Sequence, residues 1–279
     1  MYIKYLVFLW FIFFLSTANA QDTLYINRGI YTIQPETIHK ISINASDTFH
    51  RANTVLDFNL DEALEFYIIN NDSIQHTLDG AFITPITLAP SEGTIIEVAP
   101  QPFGTYLIHL TQGPGKLLGA GLIIRIGING TKKYNWDLWD QSPELAKAIF
   151  EGEAAEIPSV YRPTFFSING GVEPMDATAG AMIMGTIGDS IYISIVNTGN
   201  MIHTIHFHGY HIEIMQSLKK PESVGWRKDS FPVFVKDAMT VLLIPHQAGH
   251  FPVHNHNLVA TLFNNANSLG IVTMIMIQE

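Results

Sequence analysis

The runs Gly249-His-Phe-Pro-Val-His254-Asn-His256-Asn-Leu258 and Gly104-Thr-Tyr-Leu-Ile-His109 share one pattern: glycine, any residue, apolar, any residue, apolar, histidine. Alternation with a period of two marks a strand with one face in a core, and both strands end on histidine. Upstream of each lies an asparagine turn leading into a histidine strand, Ile69-Asn70-Asn71 before His76 and Val196-Asn197-Thr198 before His203. The chain reads as one strand unit used twice.

Other short alternating or β-branched runs, punctuated by Gly, Pro, Asn and Asp, extend the pattern. In the first half they are Leu24–Asn27, Thr54–Phe58, Leu64–Ile69, Gly93–Val98, Gly104–Leu110 and Gly121–Ile126; in the second, Thr164–Ile168, Ser190–Val196, His203–Met215, Met239–Ile244, Gly249–His254 and Ile271–Ile277. This spacing predicts an all-β chain of two Greek-key sandwiches. One helix is expected between them, with Ser142 as N-cap, Pro143 at its first position, a body through Phe150 and Gly152 as its stop. The expected bounds are 1–20 for an export signal, 21–130 for the first domain, 131–160 for a helix-bearing linker and 161–279 for the second domain. The aromatic run Tyr134-Asn-Trp-Asp-Leu-Trp139 reads as packing against a domain.

Lys4, the apolar run Tyr5–Leu15 and Ala18-Asn-Ala20 have the form of a cleaved secretory signal, which predicts an exported protein, periplasmic or extracellular. No later stretch reaches about eighteen apolar residues, so no membrane anchor is expected. The chain has no cysteine, so its stability must come from its cores and not from disulfides. A formal charge of −10, with no Lys/Arg run longer than the pairs Lys132-Lys133 and Lys219-Lys220, argues against nucleic acid as a partner.

Chemistry concentrates in the histidines. His206 and His208 lie two apart, as do His254 and His256, and strand alternation points such pairs to one side, where neutral imidazoles can ligate a metal. His109 ends the corresponding strand of the first half. His76 and His203 read equally as ligands or as buried, hydrogen-bonded residues, and Asp79 as a proton relay or a turn residue before Gly80. His39, His50, His211, His246 and His250 have no motif around them, and Met175, Met182 and Met184 read as core filler in preference to thioether ligands.

Several of these segments resemble the two-domain cupredoxin proteins, which include multicopper oxidases and copper nitrite reductases: Phe166-Ser-Ile-Asn-Gly170, Gly188-Asp189, His203-x-x-His206-x-His208-Gly209 and Phe251-Pro-Val-His-Asn-His-Asn-Leu258. The resemblance implies two cupredoxin-like sandwiches and copper as cofactor. On the oxidase pattern His206, His208, His254, His256 and His109 take ligand positions and His203 the type 1 histidine position. Asn255 stands where the type 1 cysteine belongs, with Ile271 near the methionine position. On the nitrite reductase pattern His76 resembles the type 1 histidine, Asp79 the active-site aspartate, His208 the active-site histidine, and His109 and His256 type 2 ligands, while Ala81 and Leu110 replace a third ligand and the type 1 cysteine. The resemblance thus implies a histidine-only copper site without a blue centre, served by a small-molecule substrate or an external electron donor and shared within a homotrimer. The alternatives are a non-catalytic copper-handling protein and a metal-free relic of the fold.

Overall fold

The computed structural model describes residues 22–129, 132–172, 177–261 and 270–279. The export signal and Met175 lie outside these residues. No helix among them is long and apolar enough to cross a membrane.

The first domain is built from β1 (Asp22–Ile33), β2 (Glu36–Asn44), β3 (Val55–Phe58), β4 (Leu64–Asn70), β5 (His76–Gly80), β6 (Ile83–Leu88), β7 (Gly93–Val98), β8 (Gly104–Leu110), the short helix α1 (Gly113–Leu117) and β9 (Gly121–Ile126). Its two sheets run β2-β1-β4-β7 and β3-β9-β8-β5-β6. The second domain contains β10 (Lys132–Gln141), β11 (Phe165–Ile168), β12 (Ile183–Thr186), β13 (Ile191–Asn197), β14 (His203–Phe207), β15 (Ile212–Ser217), β16 (Arg227–Lys228), β17 (Ser230–Val233), β18 (Ala238–Leu243), β19 (Gly249–Asn255) and β20 (Val272–Gln278), with α2 (Pro143–Phe150) after β10. Its sheets run β11-β10-β13-β18-β15-β16 and β12-β20-β19-β14-β17. Strand for strand this repeats the first domain, the β15–β16 hairpin being added at one edge.

Paired side-chain bonds show the repeat in atomic detail. Asn70 Nδ2 donates to the carbonyls of Ile74 (2.8 Å) and Leu88 (3.0 Å), and its Oδ1 accepts from Asp72 N. Asn197 Nδ2 donates to Met201 O (2.8 Å) and Val233 O (3.1 Å), and its Oδ1 accepts from Gly199 N. Asparagine alone combines two donors and an acceptor on so short a stem, which lets it close the turn before each histidine strand.

Alternation sets the cores. Leu64, Phe66 and Ile68 of β4 point into the first core, while Ile191, Ile193 and Ile195 of β13 point into the second. β9 is buried at every position because it has two packed faces: Leu122, Ile124 and Ile126 enter the first core, while Ile123 meets Leu107, Val196 and Ala238 across the domain boundary. Polar contacts cross the same boundary, with Thr105 Oγ1 bonded to Ser194 Oγ (2.9 Å) and Thr240 Oγ1 (2.7 Å).

The linker expected over 131–160 is partly a strand. Residues 132–141 form β10, parallel to β13, and Trp136 is fully buried in the second core, stacked on Phe207 with ring centroids 5.6 Å apart. The helix runs over the expected residues and Gly152 follows at φ +81°, but Ser142 Oγ bonds Glu144 and not the backbone. α2 packs Ala146 and Ile149 into the first core. Met184, expected as filler, is 54% exposed, because Ile183 takes the core side of β12 and its neighbour must face outward.

Candidate metal site

β14 and β19 are antiparallel neighbours with His206 directly opposite His254. Ile205, Phe207 and Val253 point into the core, so His206 and His254 face outward, and His208 and His256, two residues further along each chain, emerge on the same side. Ring centroids lie 4.6 Å apart for His206–His208, 5.2 Å for His206–His256, 5.5 Å for His206–His254, 5.1 Å for His208–His254 and 6.2 Å for His254–His256. Gly209 permits this arrangement at φ +75°: a Cβ there would sit 2.3 Å from the Phe251 ring.

Two rings are held from behind. His206 Nδ1 lies 2.7 Å from Ser230 Oγ, and His254 Nδ1 donates to Asn255 O at 2.9 Å. Such bonds fix ring orientation and direct Nε2 outward, the usual role of a second partner on a ligating histidine. His208 Nε2 and His254 Nε2 are 2.9 Å apart, a separation that one proton can bridge, or one metal ion about 2 Å from each nitrogen. Burial, then the charges of His206, His254 and His256, lowers the pKa of His208 and favours the neutral, ligating imidazole. No three His, Cys, Asp or Glu side chains among the described residues close on one point as a finished metal cage. The donors are gathered on an open face.

His203 is not part of this group. It stands three residues before His206, an odd offset that turns it into the core, where it is fully buried. Both ring nitrogens are engaged: Asn255 Nδ2 donates to His203 Nδ1 at 2.8 Å, and His203 Nε2 donates to Asp140 Oδ1 at 3.1 Å. Asn255 Oδ1 in turn accepts from Asn257 N. Histidine and asparagine therefore satisfy one another at the positions that resemble the type 1 histidine and cysteine.

His76 is likewise buried and apart, donating from Nε2 to Asp72 Oδ2 at 2.7 Å. Burial would raise the Asp72 pKa, but the His76 and Arg28 bonds outweigh it and hold the carboxyl at about 2, below the ordinary 3.8. A depressed carboxylate pKa contributes stability that is fully present above about pH 4 and is lost as pH falls toward 2. Asp72→Asn is expected to flatten the acid limb of a urea-midpoint profile over that window; an unchanged limb would contradict the assignment.

His109 is on β8 opposite Asp79, half-buried, with Nδ1–H donating to Asp79 O at 3.1 Å. Burial, then the Lys236 charge, lowers its pKa. Its described contacts include none of the four outer histidines, so one chain does not bring it to them. Asp79 is a strand residue at a register shift in the β5–β6 ladder, not a turn, and its Oδ1 accepts from Gly80 N. Sequence reading missed Ser230 and the part played by Asn255: Ser230 reaches His206 only through the β14–β17 pairing, for which no local motif exists.

The multicopper oxidase family profile matches residues 155–263. Among curated proteins, none is similar enough in sequence to match. Solved structures with this fold include the blue copper oxidase from Nitrosomonas europaea (TM-score 0.72, 16% identity, 91% of this chain and 85% of that one). The copper nitrite reductase from Nitrosomonas europaea gives a TM-score of 0.69 at 17% identity, covering 93% of this chain and 94% of that one. The multicopper oxidase mgLAC gives 0.73 at 14% identity, covering 92% and 85%. With residues 155–263 matched by the oxidase profile and nearly all of its length superposed on such structures, the chain has the two-domain cupredoxin-like fold of multicopper oxidases and copper nitrite reductases.

Proposed function

We propose that this is an exported copper protein whose copper is held by His206, His208, His254 and His256 without a type 1 centre, with His109 of a neighbouring subunit completing the site in a homotrimer. The observation that carries the reading is the gathering of four imidazoles on one outer sheet face, two of them oriented through Nδ1 by Ser230 and Asn255. The histidine-rich donor set suits Cu(II), which the Irving–Williams order favours.

Bound copper would supply one-electron redox chemistry at this face. Ser230 and the Asn255 carbonyl keep two rings turned toward the ion, while His208, the exposed end of the His206/His208 pair, stands where a small molecule would approach it. Asp79 is a proton-handling group, since it is paired directly with His109 across β5 and β8. His203 and Asn255, already bonded to one another, leave no internal relay, so electrons come from a reducing substrate or an external donor. A non-catalytic copper-handling role uses the same ligands, and oxygen uptake with ascorbate, a phenol or cuprous ion separates the two.

Assembly tests the shared site. A closed threefold ring repeats one heterologous interface, which can bring the first domain of each subunit to the second domain of the next. Light scattering of copper-loaded protein is expected to give the trimer mass, with metal released on dilution to monomers. A fully loaded monomer would refute the shared site.

A further inference from the structure

We propose that Met184, Met276 and His250 form a second metal site, for cuprous ion, separate from the four outer histidines. Met184 of β12 is paired with Met276 of β20, and Met276 is paired with His250 of β19. Directly paired residues share a face of a sheet, and the buried partners Ile183, Ile275 and Val253 identify the other face as the core side. The three side chains therefore form one outward row across three adjacent strands, about 10 Å from end to end with Met276 in the middle. They line a single recess of about 240 Å³.

The chemistry of the row is specific. Thioether sulfur is a soft donor that selects Cu(I) over hard divalent ions, and imidazole accepts the same metal. Methionine has three rotatable bonds, so two sulfurs can turn toward one ion without moving the backbone. The backbone beneath is anchored, since the Tyr134 hydroxyl donates to Met184 O (2.9 Å) and accepts from Met184 N (2.8 Å). Lys132 also lines the recess, but Asp189 takes up its charge at 2.7 Å. An apolar partner or a core would explain a methionine here, yet Met184 is 54% exposed. The site lies on the same outer face as His254, four residues or about 13 Å along β19 from His250.

The test is anaerobic competition for cuprous ion against a chromogenic chelator, with Cu(II) resonance recorded on the same proteins. Met184→Leu/Met276→Leu keeps volume and apolar character, so the fold should tolerate it. The double variant is expected to bind Cu(I) more than about 10-fold more weakly at this site, above the least cost of losing even an outer partner of a metal, while its Cu(II) spectrum is unchanged. The His208→Ala/His254→Ala variant should do the reverse, so the two sites fail independently. Methyl resonances of labelled Met184 and Met276 in the unaltered protein give a second readout and should shift with the first equivalent of Cu(I). Equal Cu(I) affinity in the leucine variant, or methyl resonances that do not move, would overturn the proposal.

Discussion

His254→Ala and His208→Ala are each expected to weaken Cu(II) binding by more than about 100-fold, whereas His39→Ala leaves it unchanged. Loss of an outer-shell partner of a metal ligand already costs about 10- to 100-fold, so loss of a donor should exceed that range. His254 is the stronger case: its Nε2 meets His208 Nε2 at 2.9 Å, and its ring lies within 6.2 Å of those of His206, His208 and His256. Ser230→Ala, which removes only the support behind His206, should fall inside the 10- to 100-fold range. His39 lies against Phe150 in the first domain and makes no contact with the four. Loaded protein should give a Cu(II) resonance without the intense visible band of a copper thiolate, since the chain has no cysteine. Calorimetric titration decides the matter, and equal affinities in the His254 and His39 variants would sink the assignment.

Where a residue's placement follows from a period of two, the sequence is sufficient. His206/His208 and His254/His256 could be placed on one face from spacing alone, because alternate strand residues share a side whatever the tertiary context. Roles that depend on pairing between distant strands were not legible. Ser230 behind His206 is one, and the Met184–Met276–His250 row is another, since β12 lies far from β19 and β20 in the chain. His203 shows how an offset of three misleads: it belongs to the same motif as His206 but occupies the opposite face, bonded to Asn255 and Asp140. The sequence of β10 reads as linker for a different reason. Trp136 and Leu138 enter the second core while Asp137 and Trp139 are buried on the other side, so polar and apolar residues do not sort by face.

That doubly buried strand carries the charge on which the domain boundary depends, and Asp137→Ala is expected to cost about 3–5 kcal/mol, the range for breaking a buried ion pair from one side. Asp137 is 1% exposed and joins elements of both domains: Oδ2 accepts from Asn53 Nδ2 at 2.8 Å, Oδ1 accepts from Thr198 Oγ1 at 2.6 Å, and Lys40 Nζ lies 4.0 Å away. Lys40 is 0% exposed, with its ammonium 4.3 Å from the Trp139 ring centroid and no hydrogen bond among the described residues. Removing Asp137 would strand that ammonium in the interior. Lys40→Met is expected to cost less, because Asp137 would keep Asn53, Thr198 and the nearby Lys236 charge. The double variant Lys40→Met/Asp137→Ala should then be more stable than Asp137→Ala alone, a reversal possible only if the penalty lies in the unpaired charge and not in lost packing. Urea unfolding of the three variants measures each term, and an Asp137→Ala cost below about 1 kcal/mol, the worth of a surface pair, would show that the boundary is held by Leu107, Ile123, Val196 and Ala238 instead.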